Sequence, residues 1–251
     1  MRKIDDEIQA LLSEHRGDIR SILQDNHRLD LLYALSSQRE LLLEWYEFEP
    51  DAEVLQVGAD YGALTGLLRT SVKQVTVLDE TESALETVRQ RYPGATNIHY
   101  CKDSLMGFAG EACAEGKKYD YVIFAGTLAA PYEEHIRAAK SLLKPTGILI
   151  VAAANALGMK YFAGTSEEEN ALTKRQLTEL LCGEKETQSM AEESGALKFY
   201  YPMPDYKTPV SIYSDAYLPK KGDLTRVTPS IARCFRCERY EVEDDQCQEA
   251  V

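Results

Sequence analysis

Short apolar runs alternate with amphipathic segments through the middle of the chain. The apolar runs scarcely alternate with polar residues, and they lie at 53–58, 74–79, 97–101, 119–124 and 148–153. Such runs are typical of strands buried on both faces of a parallel sheet. The segments between them show helical spacing, at 62–70, 82–91, 104–115 and 132–143. The pattern therefore predicts an α/β protein with a doubly wound, mostly parallel sheet.

Two helical patterns precede this sheet, at 4–25 and 28–45, with Gly17 weakening the first. We consider three roles for them: a cover over a ligand site, a surface for a homodimer, and plain packing on the sheet. Together they define an N-terminal helical extension over residues 1–47, ahead of a main domain over 48–219.

The chain changes character after Asn155. Residues 164–196 are polar and acidic, apart from a helical pattern near 173–182, and we interpret them as a surface insertion or lid. Short runs at 198–201 and 210–213 predict an antiparallel hairpin at an edge of the sheet. Residues 220–251 form a charged C-terminal tail that we expect to be partly disordered.

A glycine turn follows the first apolar run, and an acid ends the second. Gly58 and Gly62 lie in the turn, and Asp79 closes the next predicted strand. Glycines allow a close backbone approach, and a helix opening after the turn suits an anionic group. An acid at the following strand end is placed to accept hydrogen bonds from a ribose. The unit predicts a nucleotide site, while an ordinary strand–turn–helix stays open as the alternative.

The glycine spacing helps to choose the nucleotide. A dinucleotide site requires G-x-G-x-x-G, but Asp60 occupies the middle position, where its charge would repel a pyrophosphate. S-adenosylmethionine suits this acid better, because its ammonium and sulfonium groups attract carboxylates. A nicotinamide-dependent oxidoreductase is correspondingly disfavoured.

Composition narrows the classes of partner. The chain has 28 Lys+Arg against 41 Asp+Glu, a net charge of −13, which disfavours nucleic acid as a partner. The N-terminus lacks the apolar core of a signal peptide, and no apolar run is long enough to span a membrane. The six dispersed cysteines fit reduced thiols and a cytoplasmic location. Cys234 and Cys237 form one C-x-x-C pair, which is weak evidence for metal or redox chemistry, and we expect no metal site.

Several segments in order resemble the class I S-adenosylmethionine-dependent methyltransferases. They are VLQVGADYGALTG (54–66), VTVLDETES (75–83), HYCKDSL (99–105), YDYVIFAGTL (119–128) and LLKPTGILIVAAAN (142–155). A narrower likeness, at 34–48, 155–164 and 199–219, is to a bacterial subgroup often associated with glycosyltransferases. The resemblance implies a Rossmann-like methyltransferase fold, S-adenosylmethionine as cofactor, and methyl transfer, with an oxygen of a small or glycan-linked acceptor as the target.

The resemblance also implies roles for individual residues. Gly58, Ala59 and Gly62 would hold the methionine part of the cofactor, and Asp79 with Glu80 would bind the ribose. The remaining cofactor contacts would come from Asp103 and Ser104 at the adenine edge and from Ala125, Gly126 and Thr127 near the sulfonium. Arg39 is a candidate for the methionine carboxylate, with a plain surface arginine as the alternative.

Three positions depart from the family pattern. Gln56 stands where an acid is usual, Asp60 stands where a glycine is usual, and Ala154 replaces an acid expected in the subgroup. Asp60 is a candidate to replace the lost carboxylate by pairing with the cofactor's ammonium. The alternative is that cofactor binding is lost and the domain serves as a binding or scaffold module.

The sequence contains no catalytic triad, and methyl transfer requires none, since alignment of an activated methyl provides much of the rate. Candidates for an acceptor-side base are Asp205, His135 and Tyr132. Their structural alternatives are a turn-forming aspartate and a solvated or capping histidine. The aromatic residues Tyr161, Phe162, Tyr200, Tyr201 and Tyr206 are candidates for a sugar-stacking wall or, more simply, for packing.

Overall fold

A five-stranded parallel sheet forms the centre of the molecule. The structure, a computed structural model, describes residues 3–162, 164–166, 168, 170–182 and 197–218. The strands are β1 (Glu53–Val57), β2 (Gln74–Asp79), β3 (Ile98–Lys102), β4 (Tyr119–Ala125) and β5 (Leu143–Ala152), in the order β3-β2-β1-β4-β5. All four neighbouring pairs are parallel. The predicted parallel sheet is confirmed.

Helices cover both faces of the sheet. The described helices are α1 (Lys3–Glu14), α2 (Ile19–Asp25), α3 (Leu29–Leu35), α4 (Thr65–Ser71), α5 (Glu82–Arg91), α6 (Leu105–Ala114), α7 (Tyr132–Ser141), α8 (Met159–Phe162) and α9 (Lys174–Cys182). One hydrophobic core contains Leu68 of α4 and Leu85 of α5, and the other contains Phe108 of α6 and Ile136 of α7. The doubly wound arrangement is therefore confirmed.

The N-terminal extension is more broken than its hydrophobic stripes predict. The expected helix over 4–25 is divided at Gly17, which has a φ of +78°, and Asp18 then caps α2. The expected helix over 28–45 ends at Leu35, because Ser36 is extended and begins a 3-10 turn over Ser37–Leu42.

These helices pack on their own chain. Ile8 and Leu12 are fully buried, and the Gln9 side chain donates to the Ser83 carbonyl oxygen at 2.7 Å. The buried guanidinium of Arg91 donates to the Leu35 carbonyl at 2.8 Å and to the Tyr61 carbonyl at 3.0 Å. The extension is thus attached to the turn after β1. A homodimer through these helices stays a prediction.

The strand β5 begins earlier than predicted. The fifth apolar run predicts a strand from residue 148, but Leu143 already pairs with Tyr119, and the register then shifts so that Ile148 pairs with Tyr121. The residues between them form an irregularity inside the strand, where Lys144 Nζ lies 2.8 Å from Asp120 Oδ2. The Lys-Pro-Thr-Gly sequence therefore makes a bulge within the strand.

The C-terminal hairpin forms, but it does not join the sheet. The strands β6 (Tyr200–Met203) and β7 (Ser211–Ser214) pair with each other as a separate two-stranded sheet. The expected position at the sheet edge is therefore wrong, and the outer edge of β5 pairs with no described strand. The hairpin lies instead against the N-terminal extension, where the Tyr200 and Trp45 rings are 4.6 Å apart.

Some predictions fall on residues outside the described ranges. These are the tail over 220–251, the C-x-x-C pair and, within the proposed insertion, residues 167, 169 and 183–196. The helix α9 confirms the helical pattern near 173–182. The division into an N-terminal extension, a main domain and a tail stays a prediction. Within the described part of the chain, no helix has the length and apolarity needed to cross a bilayer.

Candidate functional site

The candidate site lies where the strand order reverses, between β1 and β4. The connection after β1 leads to one face of the sheet and the connection after β4 to the other, so a crevice opens at their carboxyl ends. The structure places three groups of predicted residues at this edge. They are Gly58–Gly62 after β1, Asp79 and Glu80 at the end of β2, and Ala125–Thr127 at the end of β4.

The turn after β1 is built from left-handed backbone. Gly58 has a φ of +86° and Gly62 a φ of +73°, while the two non-glycine residues Asp60 and Tyr61 have φ values of +40° and +54°. Non-glycine residues reach this region at a cost of about 1–3 kcal/mol each, and only where the surroundings hold them. The glycine expected at position 60 would adopt this conformation freely. The structure therefore must hold Asp60 in place.

Arg39 provides that restraint. Its side chain is 4% exposed, and its Nη1 lies 2.7 Å from Asp60 Oδ2. The Nε of Arg39 donates to the Lys207 carbonyl oxygen at 3.2 Å, and its guanidinium lies 5.3 Å from the centre of the Tyr206 ring. The alternative of a plain surface arginine is therefore wrong, because Arg39 links the turn to the hairpin loop. The carboxylate of Asp60 is already paired here with a cation.

Gln56 braces the same turn from within the sheet. Its side chain is buried, its Nε2 donates to the Gly58 carbonyl at 3.1 Å and its Oε1 accepts from the Thr65 hydroxyl at 2.8 Å. A carboxylate at position 56 would have no hydrogen to donate to that carbonyl. The departure from the family pattern therefore has a structural use in this chain.

Asp79 joins the ends of β1 and β2. Its Oδ2 accepts from the Ala59 backbone N at 3.0 Å, and its Oδ1 accepts from both the N and the hydroxyl of Thr81 at 2.9 Å. A carboxylate offers about four lone-pair positions, so about one stays open here. A second opens when the Thr81 hydroxyl rotates away. The carboxylate can therefore accept two ribose hydroxyls, with one local rearrangement.

Side chains from β4 and the hairpin loop cover the crevice. The Thr127 hydroxyl donates to the Val57 carbonyl, and a Cβ placed on Gly58 would lie 2.7 Å from Thr127 Cβ. A Cβ on Gly126 would lie 2.6 Å from Cε2 of Tyr206, which is buried. Thr127 was predicted to lie here, whereas no pattern in the sequence predicts that Tyr206 packs against Gly126. A ligand reaching this point must displace that ring.

Asp103 and Ser104 follow the end of β3, and their side chains accept hydrogen bonds from backbone N–H groups at the start of α6. The Ser104 hydroxyl accepts from the Gly107 backbone N at 3.1 Å, and Asp103 Oδ1 accepts from the Ser104 N at 2.7 Å. The Asp103 backbone N donates to the Asp79 carbonyl at 3.1 Å, which joins β3 to the same edge. Their contact with an adenine stays a prediction.

Asp205 belongs to an ion-pair network beside Tyr206. Its Oδ2 lies 3.1 Å from Lys160 Nζ, and Lys160 also pairs with Glu168 at 2.8 Å. Burial alone would raise the pKa of Asp205. Hydrogen bonds from the Lys207 backbone N and from Lys160 outweigh burial and lower this pKa below its ordinary value. A carboxylate with a lowered pKa is a weak base. This network was not predicted, because its members are up to 45 residues apart in sequence.

The lowered pKa of Asp205 predicts an acid-sensitive stability. A group whose pKa is depressed in the folded state stabilises that state above its unfolded pKa, so this contribution should disappear as the pH falls from about 5 to about 2. Over this range, we expect the free energy of unfolding to fall in both proteins. The fall should be about 1 kcal/mol smaller in Asp205→Asn than in the wild type. Urea unfolding at several pH values measures this. The matched variant Asp51→Asn, at an exposed position, should follow the wild type; equal losses in all three proteins would contradict the prediction.

His135 and Tyr132 lie on the first turn of α7. The Nδ1 of His135 lies 2.8 Å from the Ala129 carbonyl oxygen. This contact joins the first turn of α7 to the loop that follows β4. The Tyr132 hydroxyl donates to Asn170 Oδ1 at 3.2 Å. No described contact joins either side chain to Asp205, and the role of His135 as a base stays a prediction. The described residues contain no cluster of three or more side chains suited to a metal ion.

Comparisons with known proteins return likenesses of fold only. No family model matches the chain, and no curated protein matches it. A solved N-methyltransferase NodS from Bradyrhizobium japonicum with S-adenosyl-L-homocysteine is 18% identical, with a TM-score of 0.44 over 69% of this chain and 83% of that one.

Two other similar structures are a methyltransferase complex and a decarboxylase. A complex of the Haloferax volcanii Trm112 methyltransferase activator with a putative methyltransferase gives 15% identity and a TM-score of 0.47, over 70% of this chain and 74% of that one. The precorrin 8w decarboxylase of Methanobacterium thermoautotrophicum gives 20% identity and a TM-score of 0.40, over 71% and 84%. TM-scores below 0.5 at such identities support no argument about function.

Proposed function

We propose that this chain binds S-adenosylmethionine at the switch point and transfers its methyl group to an oxygen of a small or glycan-linked acceptor. The observation that carries the proposal is the hydrogen bond from the Ala59 backbone N to Asp79 Oδ2 at 3.0 Å. It sets a left-handed glycine turn beside a carboxylate at the edge where open α/β sheets bind nucleotides. The bound cofactor would supply a methyl on a sulfonium, and the protein would align it.

The charge at this edge favours a cationic ligand over a pyrophosphate. Asp79 is the last residue of β2, and three further acids follow the ends of β1, β2 and β3: Asp60, Glu80 and Asp103. Arg39 is already paired with Asp60. A dinucleotide would bring two further negative charges among these carboxylates. The ammonium of S-adenosylmethionine is suited to them. We further propose that Asp60 exchanges Arg39 for this ammonium, so that Arg39 becomes available to the cofactor's carboxylate.

A binding or scaffold module is the second candidate, and one observation favours it. Tyr206 packs on Gly126 and Thr127 packs on Gly58, so both walls of the crevice are in contact with side chains. A domain that no longer binds cofactor gains stability by filling the crevice in this way. The two candidates differ in whether the Tyr206 ring leaves when the cofactor is offered.

The finer assignments follow from the sequence. The resemblance to the subgroup associated with glycosyltransferases supports the glycan-linked acceptor, and the dispersed cysteines support a cytoplasmic location. Asp205 and His135 stay the proposed acceptor-side bases. The ion pair of Asp205 with Lys160 must open before this carboxylate accepts a proton.

Calorimetry with S-adenosylhomocysteine tests the proposal on the full chain. We expect one molecule bound per chain by the wild type, tighter binding by Tyr206→Ala, and unchanged binding by Tyr213→Ala, a tyrosine of β7. NADH should give no heat. Binding by Tyr206→Ala alone would favour the scaffold, and a lack of binding by every variant would contradict the cofactor site.

A further inference from the structure

A cavity of about 400 Å³ lies beside the switch point, along the outer edge of β5, which pairs with no described strand. Its walls come from the 3-10 turn of the N-terminal extension, from β4 and β5, from α9 and from the hairpin. It ends at Ala125 and Tyr206, the two residues that also border Gly126. The volume lies within the range of small-molecule sites. We propose that this cavity is the acceptor site, and that the acceptor is a small aromatic molecule without a positive charge.

The walls select against a sugar. The described lining is almost entirely aliphatic and aromatic, and the aromatic members are Trp45, Tyr46, Phe124, Phe199, Tyr200 and Tyr206. The indole N–H of Trp45 is already used, since it donates to the Leu42 carbonyl at 2.8 Å. The polar groups left in the wall are the tyrosine hydroxyls and the backbone groups of the β5 edge, and each sugar hydroxyl that finds no partner among them would cost about 1–3 kcal/mol. An aromatic ring loses nothing comparable and gains contacts with the lining rings.

The charges select against a cation. Of the described residues that line the cavity, Lys198 is the one that carries a charge, and it is exposed at the rim. No carboxylate lies among those lining residues to compensate an ammonium. A neutral or anionic aromatic molecule is therefore favoured.

The position of Tyr206 connects the cavity to the proposed chemistry. This ring is buried, lines the cavity, and holds its hydroxyl against Gly126 at the end of β4. Burial raises the pKa of Tyr206 above its usual range, so the phenol stays neutral and acts by its shape. The acceptor role rests on the proposed function, because movement of this one ring would join the cavity to the cofactor crevice. Binding of an aromatic molecule does not depend on the cofactor.

The chain carries its own reporter for this site. It contains one tryptophan, Trp45, which lines the cavity and is 44% exposed. Energy transfer from tryptophan to 1-anilinonaphthalene-8-sulfonate therefore reports on a probe bound beside Trp45. Trp45 also lines a second pocket on the hairpin, which Ala152 does not line, so the Ala152 variant below identifies which of the two holds the probe. We expect one probe bound per chain, with displacement by 2-naphthol and none by methyl glucoside or by a valine-rich pentapeptide. Displacement by the glucoside or the peptide would overturn the assignment.

Three variants localise the probe. Ala152, which lines the cavity, changed to phenylalanine should abolish the binding, whereas Ala84→Phe should leave it unchanged, because Ala84 packs on the same core but does not line the cavity. Tyr200 is 41% exposed and its loss should not unfold the protein, so Tyr200→Ala should weaken binding by about tenfold. Equal binding by all variants would overturn the proposal. So would a change of oligomeric state in Ala152→Phe, which would show that a second copy covers the cavity.

Calorimetry on the same protein separates the two proposals. We expect saturating S-adenosylhomocysteine to change the probe's dissociation constant by about threefold or more, since both sites share Tyr206. Cofactor binding without probe binding would overturn the aromatic site and leave the proposed function standing. Probe binding without cofactor binding would overturn the proposed function and, with it, the acceptor role.

Discussion

Replacing Asp79 with alanine is expected to weaken the binding of S-adenosylhomocysteine by about 10²-fold or more. Hydrogen bonds to a charged group contribute about 1.5–3 kcal/mol each, and the carboxylate is placed to accept two from a ribose. It also holds the Ala59 backbone N at 3.0 Å, so its loss loosens the glycine turn. Calorimetry measures the affinity, and circular dichroism verifies that the variant is folded.

Two neighbouring variants serve as controls for Asp79. Glu80, the other predicted ribose contact, is exposed and adjacent. Glu80→Ala therefore changes the same net charge, and we expect it to weaken binding by less than about fivefold, because an exposed carboxylate contributes less. Thr81→Ala removes the hydroxyl that occupies one lone pair of Asp79, and we expect it to bind as well as the wild type or better. Unchanged affinity in Asp79→Ala would show that the ligand, if it binds, lies elsewhere.

The sheet could be predicted because its signals are local. The strands β1, β2 and β4 are buried on both faces and therefore read as nearly uninterrupted apolar runs. The helix α5 ends at Arg91, where Tyr92-Pro93-Gly94 predicts its end. The 3-10 turn after Ser36 escaped prediction, because the leucine spacing continues through it. A hydrophobic stripe indicates which positions are buried, but it does not indicate where the backbone changes direction.

The covering of the site depends on contacts between distant segments. Arg39 meets Asp60 and the Lys207 carbonyl, which lies 168 residues away in sequence. The hairpin lies against the N-terminal extension, where the Tyr200 and Trp45 rings are 4.6 Å apart, and the edge of β5 has no described partner strand. No local pattern encodes such pairs. The sequence therefore located the crevice through its glycines and acids, but it did not show which side chains would cover it.

The close approach of Gly58 to Thr127 gives the largest stability effect that we expect. Gly58 has a φ of +86°, and a Cβ there would lie 2.7 Å from Thr127 Cβ. Gly94 has a similar φ of +79°, and a methyl group at its Cα would meet nothing within 4 Å, so it is a matched control. We expect Gly94→Ala to cost about 1–2 kcal/mol from left-handed backbone alone. Gly58→Ala should cost a further ~1–3 kcal/mol, because it also overpacks the crevice.

A double variant separates the collision from the backbone strain. Thr127→Gly removes the colliding side chain, so Gly58→Ala combined with Thr127→Gly should recover most of the excess over Gly94→Ala. Urea unfolding measures the free energy of unfolding of the wild type, Gly58→Ala, Gly94→Ala and the double variant in one series. Equal losses for Gly58→Ala and Gly94→Ala, or no recovery in the double variant, would mean that Thr127 does not pack against the turn. The crevice would then be open on its β4 side, and Tyr206 alone would remain as its cover.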